Sequence, residues 1–188
     1  MIEKFISSFN LFPDSEIECF TQMFVTRTIK KAEYFVREGG KCKEIAFVQN
    51  GIFRSFYTLE NGTEHTFCFR FPNQLLAPYS AFISGEASRE TMQAITDATV
   101  LVLKKSALEA HLRSNPEWTS FLKTIAEQEY IELEKRYFQL QRDDAATRYK
   151  DLLCNQPEYI QSIPLQYLAS YLGISPRHLS RIRKEITF

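Results

Sequence analysis

"LQYLASYLGISPRHLSRIRKE", residues 165–185, places apolar residues at helical intervals on both sides of a single glycine. Leu165, Leu168, Ala169 and Leu172, with Ile163 ahead of them, define the inner face of a helix that ends at Gly173. Glycine takes the left-handed backbone of a helix C-terminus without steric cost. Ile174 then plugs the core, Ser175 caps a second helix with Pro176 at its first position, and Leu179 and Ile182 face inward. Helix, short glycine-containing turn, helix is the arrangement with which many proteins read DNA. Arg177, His178, Ser180, Arg181, Arg183 and Lys184 are left for the outside. Arginine suits the O6/N7 edge of guanine, and short donors with Lys or Arg suit phosphates. A solvated helix end would also favour basic residues. The small Ala169, the Gly173 turn and the Ser175-Pro176 start favour the DNA reading.

The rest of the chain carries no matching basic excess. Its 188 residues hold 23 Lys and Arg against 23 Asp and Glu, so the positive footprint is local to this end. A composition 44% hydrophobic and 24% charged is that of a soluble globular protein. No apolar run approaches the roughly 18 to 20 residues that cross a bilayer. "MIEKFISSFNLF", residues 1–12, has charges and aromatics where a signal peptide has a plain apolar block. The expectation is a cytoplasmic protein with no membrane partner.

Catalysis and metal binding find little support. Cys19, Cys42, Cys68 and Cys154 are scattered, with no C-x-x-C pair and no His at ligand spacing, and read as small hydrophobes in a reducing compartment. Of His65, His111 and His178, only His65 falls in the β-region, too few for a metal-holding β-barrel enzyme. No G-x-S-x-G, Walker or G-x-G-x-x-G motif occurs. The chain is read as no enzyme, with no metal and no cofactor.

Upstream of the opening segment the period changes twice. From Thr26 to Leu103, short β-branched and aromatic runs alternate with turn residues: "EYFVREGGKC", "IAFVQNGIFRSFYTLENGTEHTFCFRF", "TMQAITDATVLVLKK". Asn50-Gly51 and Asn61-Gly62 are expected to make tight reversals of an antiparallel sheet, rolled up as a jelly-roll-like β-roll. Ahead of it Phe5, Phe9, Ile17, Phe20 and Phe24 recur at helical intervals, with a break at "FPDSE" and Asp14 or Ser15 as cap. Behind it "SALEAHL" forms a short helix, and Asn115-Pro116 opens a long one.

In that long helix Ala126, Tyr130, Leu133, Tyr137 and Leu140 follow 4-3-4-3 spacing. Trp118 to Leu140 spans roughly 34 Å as one helix, and a leftover heptad stripe on such a helix indicates a dimer seam. A further helix is expected near Asp143 to Cys154, with a loop at Pro157.

This order of parts resembles the Crp/Fnr family of bacterial transcription regulators, in particular its short Bacteroidetes type. "REGGKCKEIAFVQNGIFRSF" is similar to the family's strand, glycine turn, strand pattern, with Gly39 and Gly51 at the turn glycines, and "IPLQYLASYLGISPRHLSRIRKEI" to its helix-turn-helix. The resemblance implies that Ser175, Arg177 and Arg181 face DNA. It also implies a homodimer on double-stranded DNA, with RNA polymerase a further candidate partner. Members that bind cyclic nucleotides carry a Gly-Glu pair for the ribose and an Arg-Ser or Arg-Thr pair for the phosphate. Here Ala77-Pro78 falls where Gly-Glu belongs, and Ser88-Arg89 or Arg89-Glu90 where Arg-Ser belongs. Pro78 offers neither carboxylate nor N–H, and Glu90 beside a phosphate would repel it. Cyclic nucleotide is therefore not expected. Tyr79, Ser80, Arg89, Thr91 and Tyr130 are the polar groups left for another small effector. The sequence ends at Phe188, so the β-wing of many relatives is expected to be missing, with fewer phosphate contacts.

The fold expected is α+β, with a β-roll sensor over residues 1–115, a dimerisation helix over 116–141 and a helix-turn-helix over 142–188. The competing reading is a β-roll binding or scaffold protein whose terminal helices join a protein partner rather than DNA.

Overall fold

A computed structural model describes residues 1–186; Thr187 and Phe188, at the end of the expected C-terminal domain, lie outside the described residues. The chain is mixed α+β. Two short helices, α1 (Ile2–Ser7) and α2 (Asp14–Thr21), precede strands β1 (Val25–Ile29), β2 (Tyr34–Val36), β3 (Glu44–Asn50), β4 (Phe53–Thr58), β5 (Glu64–Arg70) and β6 (Leu75–Leu76). Helix α3 (Tyr79–Ser84), strands β7 (Thr91–Ala94) and β8 (Ala98–Lys104), and helix α4 (Lys105–Ser114) follow. The remainder is helical: α5 (Trp118–Arg142), α6 (Ala145–Asn155), α7 (Pro157–Ser162), α8 (Leu165–Tyr171) and α9 (Pro176–Ile186).

The strands form two four-stranded sheets, ordered β1-β8-β3-β6 and β2-β7-β4-β5, and β1–β8, β8–β3, β3–β6, β2–β7 and β7–β4 all pair antiparallel. Alternation along each strand sends one set of side chains inward. Ile29, Ala46, Val48, Leu76, Val100 and Val102 from one sheet meet Phe53, Met92 and Ala94 from the other in one buried cluster.

The two asparagine-glycine pairs part company here. Asn61-Gly62 joins the neighbours β4 and β5 as a reversal, Gly62 at φ 80°. Asn50-Gly51 does not: β3 and β4 belong to different sheets, so this pair turns a corner between them. Both uses need a left-handed residue, so the local signal is the same. Gly51 is also needed for close approach, since a Cβ there would lie 2.5 Å from the Cβ of Ala98.

Two compact units result. One comprises Met1–Tyr57 and Phe67–Lys123; the other comprises Thr58–Thr66 and the chain from Thr124 onward. In the first, Trp118 is sandwiched between Phe12 and Phe20, at 3.9 and 4.1 Å between ring centroids, and Phe9 meets Phe121 edge-on. The N-terminal helices are thereby tied to the start of α5 by aromatic contact rather than by caps. The expected Asp14 or Ser15 cap is not formed: Asp14 is the first residue of α2, Pro13 stands at the cap position, and no side chain caps that end. The long helix begins two residues after Pro116, behind a turn closed by the Trp118 N–H donating to the Asn115 carbonyl.

In the second unit Tyr149, Leu152, Tyr159, Leu168, Leu172, Leu179 and Ile182 are buried. The loop expected at Pro157 is instead a helix, α7, with Pro157 in its first turn, where a missing N–H costs nothing. Ile163 lies ahead of α8 in extended conformation; it is buried as expected, but outside the helix.

Candidate functional site

Helices α8 and α9 are set by backbone chemistry readable in the opening segment. Gly173 has φ 70°. The Gly173 N–H donates to the Ser170 carbonyl (3.1 Å) and the Ile174 N–H to the Ala169 carbonyl (3.0 Å). This pair of bonds is a Schellman closure, which satisfies carbonyls that a helix end leaves open. Two residues on, the Ser175 hydroxyl accepts from the His178 N–H (3.2 Å) and starts α9. The glycine turn and the serine cap fix the angle between the helices.

At 100° per residue, Arg177, Ser180, Arg181 and Lys184 fall within one arc of α9, opposite the buried Leu179 and Ile182. Arg177, Arg181 and Lys184 are exposed, as is Ser175; His178 and Ser180 are half-buried. The Ser180 hydroxyl donates to the Pro176 carbonyl at 2.9 Å. Arg183 departs from the expectation. It is half-buried, donates to the Ile160 carbonyl (3.4 Å), and lies over the Tyr149 ring at 6.0 Å. Its position on the helix points it toward α6 and α7, so it braces the domain and does not share the outer face.

On α5, Tyr130, Leu133, Tyr137 and Leu140 are 61%, 48%, 58% and 45% exposed, and Ala126 is half-buried. The stripe is thus a continuous apolar surface on the monomer. Ile131 and Phe138, also exposed, lie beside it. The Tyr130 hydroxyl donates to Glu134 at 3.2 Å, and this bond raises its pKa.

The stretch to which the resemblance assigns the nucleotide-binding pairs is tied into the chain's own hydrogen bonds at Ser88. Ala77 and Pro78 are buried, and Pro78 stands at the N-cap of α3. Ser88 is locked to the glycine turn: its N–H donates to the Gly40 carbonyl, its carbonyl accepts from the Gly39 N–H, both at 2.8 Å, and its hydroxyl donates to the Glu90 carbonyl at 2.7 Å. Of the proposed effector groups, Thr91 is buried and its hydroxyl accepts from the Glu38 N–H at 3.0 Å. Tyr79 is half-buried, while Ser80 and Arg89 are exposed. Tyr130 belongs to the other unit.

Glu90 faces the interior. Its carboxylate accepts from the Ser55 hydroxyl of β4, and Ser55 is paired with the core residue Met92. Burial pushes the Glu90 carboxyl up to about 7, a rise that the positive charge of Arg70 opposes. Burial likewise raises the thiol of Cys42, to which the Glu90 and Glu44 charges add.

Sequence reasoning missed Arg54 and Ser55. In "FRSFYT" Arg54 is 1% exposed, its guanidinium 4.3 Å from the ring centroid of Phe56, which shares its face of the strand. The only hint was its setting between aromatics. The four cysteines are free thiols, and among the described residues no group of His, Cys, Asp or Glu could hold a metal ion. No helix among the described residues is long and apolar enough to cross a membrane.

With this geometry in view, residues 26–115 match the model of the cyclic nucleotide-binding domain. No curated protein matches the sequence. Among solved structures, FixK2 from Bradyrhizobium japonicum superposes with a TM-score of 0.77 at 20% identity, over 87% of this chain and 84% of that one. CLP of Xanthomonas campestris, described as a c-di-GMP responsive global regulator, gives 0.74 at 16% identity, over 93% and 92%. A CooA mutant from Carboxydothermus hydrogenoformans gives 0.70 at 14% identity, over 90% and 78%. The chain therefore contains a cyclic nucleotide-binding domain fold, and its architecture, sheets, long helix and C-terminal helices together, is shared with these proteins.

Proposed function

We propose that the protein is a homodimeric, DNA-binding transcription regulator of Crp/Fnr type whose sensor pocket has lost the means to hold a cyclic nucleotide. The assignment takes residues 1–115 as sensor, 116–141 as dimerisation helix and 142–188 as helix-turn-helix. The observation that carries it is the outer face of α9: Arg177, Arg181 and Lys184 are exposed on one arc of a helix started by Ser175 and angled by Gly173. Arg177 and Arg181 reach base edges in a major groove, while Ser175, Ser180 and Lys184 serve the backbone. The exposed stripe of Tyr130, Leu133, Tyr137 and Leu140 buries itself against a second copy, giving two reading helices for successive major grooves.

Titrating duplex DNA against the protein over a range of salt tests this reading. Affinity should fall steeply and log-linearly with salt. Failure to bind any duplex at low salt would overturn it and favour a scaffold whose terminal helices join a protein.

Cyclic nucleotide binding is the second reading, favoured by the domain match over residues 26–115. Against it stand Pro78 in place of a ribose-binding glutamate and the half-buried Glu90. Tyr79, Ser80, Arg89 and Thr91 remain the proposed effector groups of the β-roll, whereas Tyr130 is assigned to the dimer stripe.

A further inference from the structure

Glu90 stands immediately ahead of β7 with its main chain held. Its N–H donates to the Ser88 hydroxyl at 3.2 Å, and the same hydroxyl donates to the Glu90 carbonyl. The next residue, Thr91, accepts from the Glu38 N–H through its hydroxyl. The backbone here is tied to the glycine turn, so a change at Glu90 is a change of its side chain.

That side chain reaches to the neighbouring strand. Its carboxylate accepts from the hydroxyl of Ser55, a buried residue of β4. Ser55 lies opposite Met92 in the β4–β7 register, and Met92 belongs to the core cluster together with Phe53, two residues before Ser55. Side chains two apart on a strand share a face, so the carboxylate meets Ser55 on the core side of the sheet. An ionised carboxyl gives up water there, whereas a protonated one has no charge to desolvate.

The surrounding charges leave this imbalance in place. Arg70 of β5 favours the ionised form, but burial outweighs it. The charges of Glu90 and Glu44 raise the Cys42 thiol, and that of Lys105 lowers it, which places all three around this sulfur. Glu44 is paired with Arg27 at 2.8 Å, and the Lys105 ammonium is turned to the carbonyls of Phe82 and Ile83 at the end of α3. Arg89, adjacent in sequence, is exposed. All these groups lie in one compact unit.

We propose that the Glu90–Ser55 contact is a proton-operated catch within the β-roll: with its proton on, Glu90 stays against Ser55, and with its proton off, the carboxylate leaves for water and the β4–β7 pairing around Ser55 and Met92 loosens. The ligand to which this unit responds is then the proton. The catch is independent of whether α9 reads DNA.

Hydrogen exchange on the full-length protein tests it, with each rate divided by that of an unstructured peptide at the same pH. Opening of residues 53–56 and 91–94 should rise roughly fiftyfold to a hundredfold from pH 5 to pH 8, levelling off above about pH 7. Glu90→Gln, which keeps the shape without the charge, should hold these amides equally protected at both pH values. Ser55→Ala should leave Glu90 titrating by carbon NMR of its carboxyl, while the amides of residues 53–56 cease to follow it. Wild-type protection that is the same at pH 5 and pH 8 overturns the catch. So does a pH-dependent loss that persists in Glu90→Gln, and so do β4 amides that still follow Glu90 in Ser55→Ala.

Discussion

In the helix pair, the residues that set the geometry lie within a few positions of those assigned to chemistry. Gly173 turns the chain, Ser175 caps α9, and Arg177 and Arg181 follow directly. In the β-roll the reverse holds. Glu90 meets Ser55 from 35 residues away, and Ser88 is tied to a glycine turn nearly fifty residues earlier in the chain. A function built from local signals keeps its parts together in sequence. One built by sheet pairing can lose its ligand groups while the fold that held them persists, because Phe53, Met92 and Ala94 still make the core.

The largest effect should come from the surface that serves neither region alone. Leu133→Glu puts a charge in the middle of the exposed α5 stripe, where a partner would bury it unpaired. Each copy of the change should cost at least about 2 kcal/mol of association, as for a hot-spot residue. Sedimentation should show a dimeric wild type and a largely monomeric variant; two equally dimeric proteins would remove the stripe from the interface.

A second change probes the β-roll interior. Glu90 is raised to about 7 from the ordinary 4.5 by burial. The folded protein therefore binds this proton more tightly than the unfolded chain. The associated stability is fully present below about pH 4.5, declines as pH rises, and is lost once pH passes through about 7. Glu90→Gln removes the dependence and should gain about 3 kcal/mol at pH 8 and little at pH 4. Denaturant unfolding at both pH values reads this directly, and equal effects at the two would show Glu90 to be ordinary.

A smaller effect is expected at the turn of the helix pair. Gly173→Ala forces a Cβ into a left-handed conformation at φ 70°, with no neighbour within 4 Å to clash, so the cost is backbone strain alone, about 1 kcal/mol. A loss of several kcal/mol in thermal unfolding would mean that the turn packs more tightly than described.

The smallest expected response is none. Cyclic AMP and cyclic GMP at millimolar concentration should leave the melting temperature and the calorimetric heat unchanged, because a ligand of the native state must raise apparent stability. Micromolar binding would restore the nucleotide reading of residues 26–115 and show that Pro78 and Glu90 do not exclude it.

What could be read from the sequence follows the same division. Gly173, Ser175 and Pro176 mark the helix pair because capping chemistry is local, and the α+β architecture follows from the change of period at either end of the strands. Asn50-Gly51 was misassigned as a reversal because a turn glycine does not say whether the next strand pairs with the last or crosses to another sheet. Pro157 breaks a helix or begins one, and the half-turn before it decides which. Arg54 was invisible for a different reason: alternation predicts which side a residue faces, not whether that side is covered. Arg183 was counted as an outer residue by its charge, although its angle on α9 already placed it toward Tyr149.

The central claim, that α9 reads DNA, is tested most directly by Arg181→Ala measured against wild type on an operator selected from a random duplex pool. Arg181 is exposed and four residues after Arg177, so the two side chains share one face. Loss of a guanine contact should cost roughly 1 to 3 kcal/mol on that operator and relax the preference at one base pair per half-site. Lys184→Ala, as a phosphate contact, should weaken all sequences alike and lower the salt slope by about one per subunit. A folded Arg181→Ala protein with both affinity and sequence preference untouched would contradict the account.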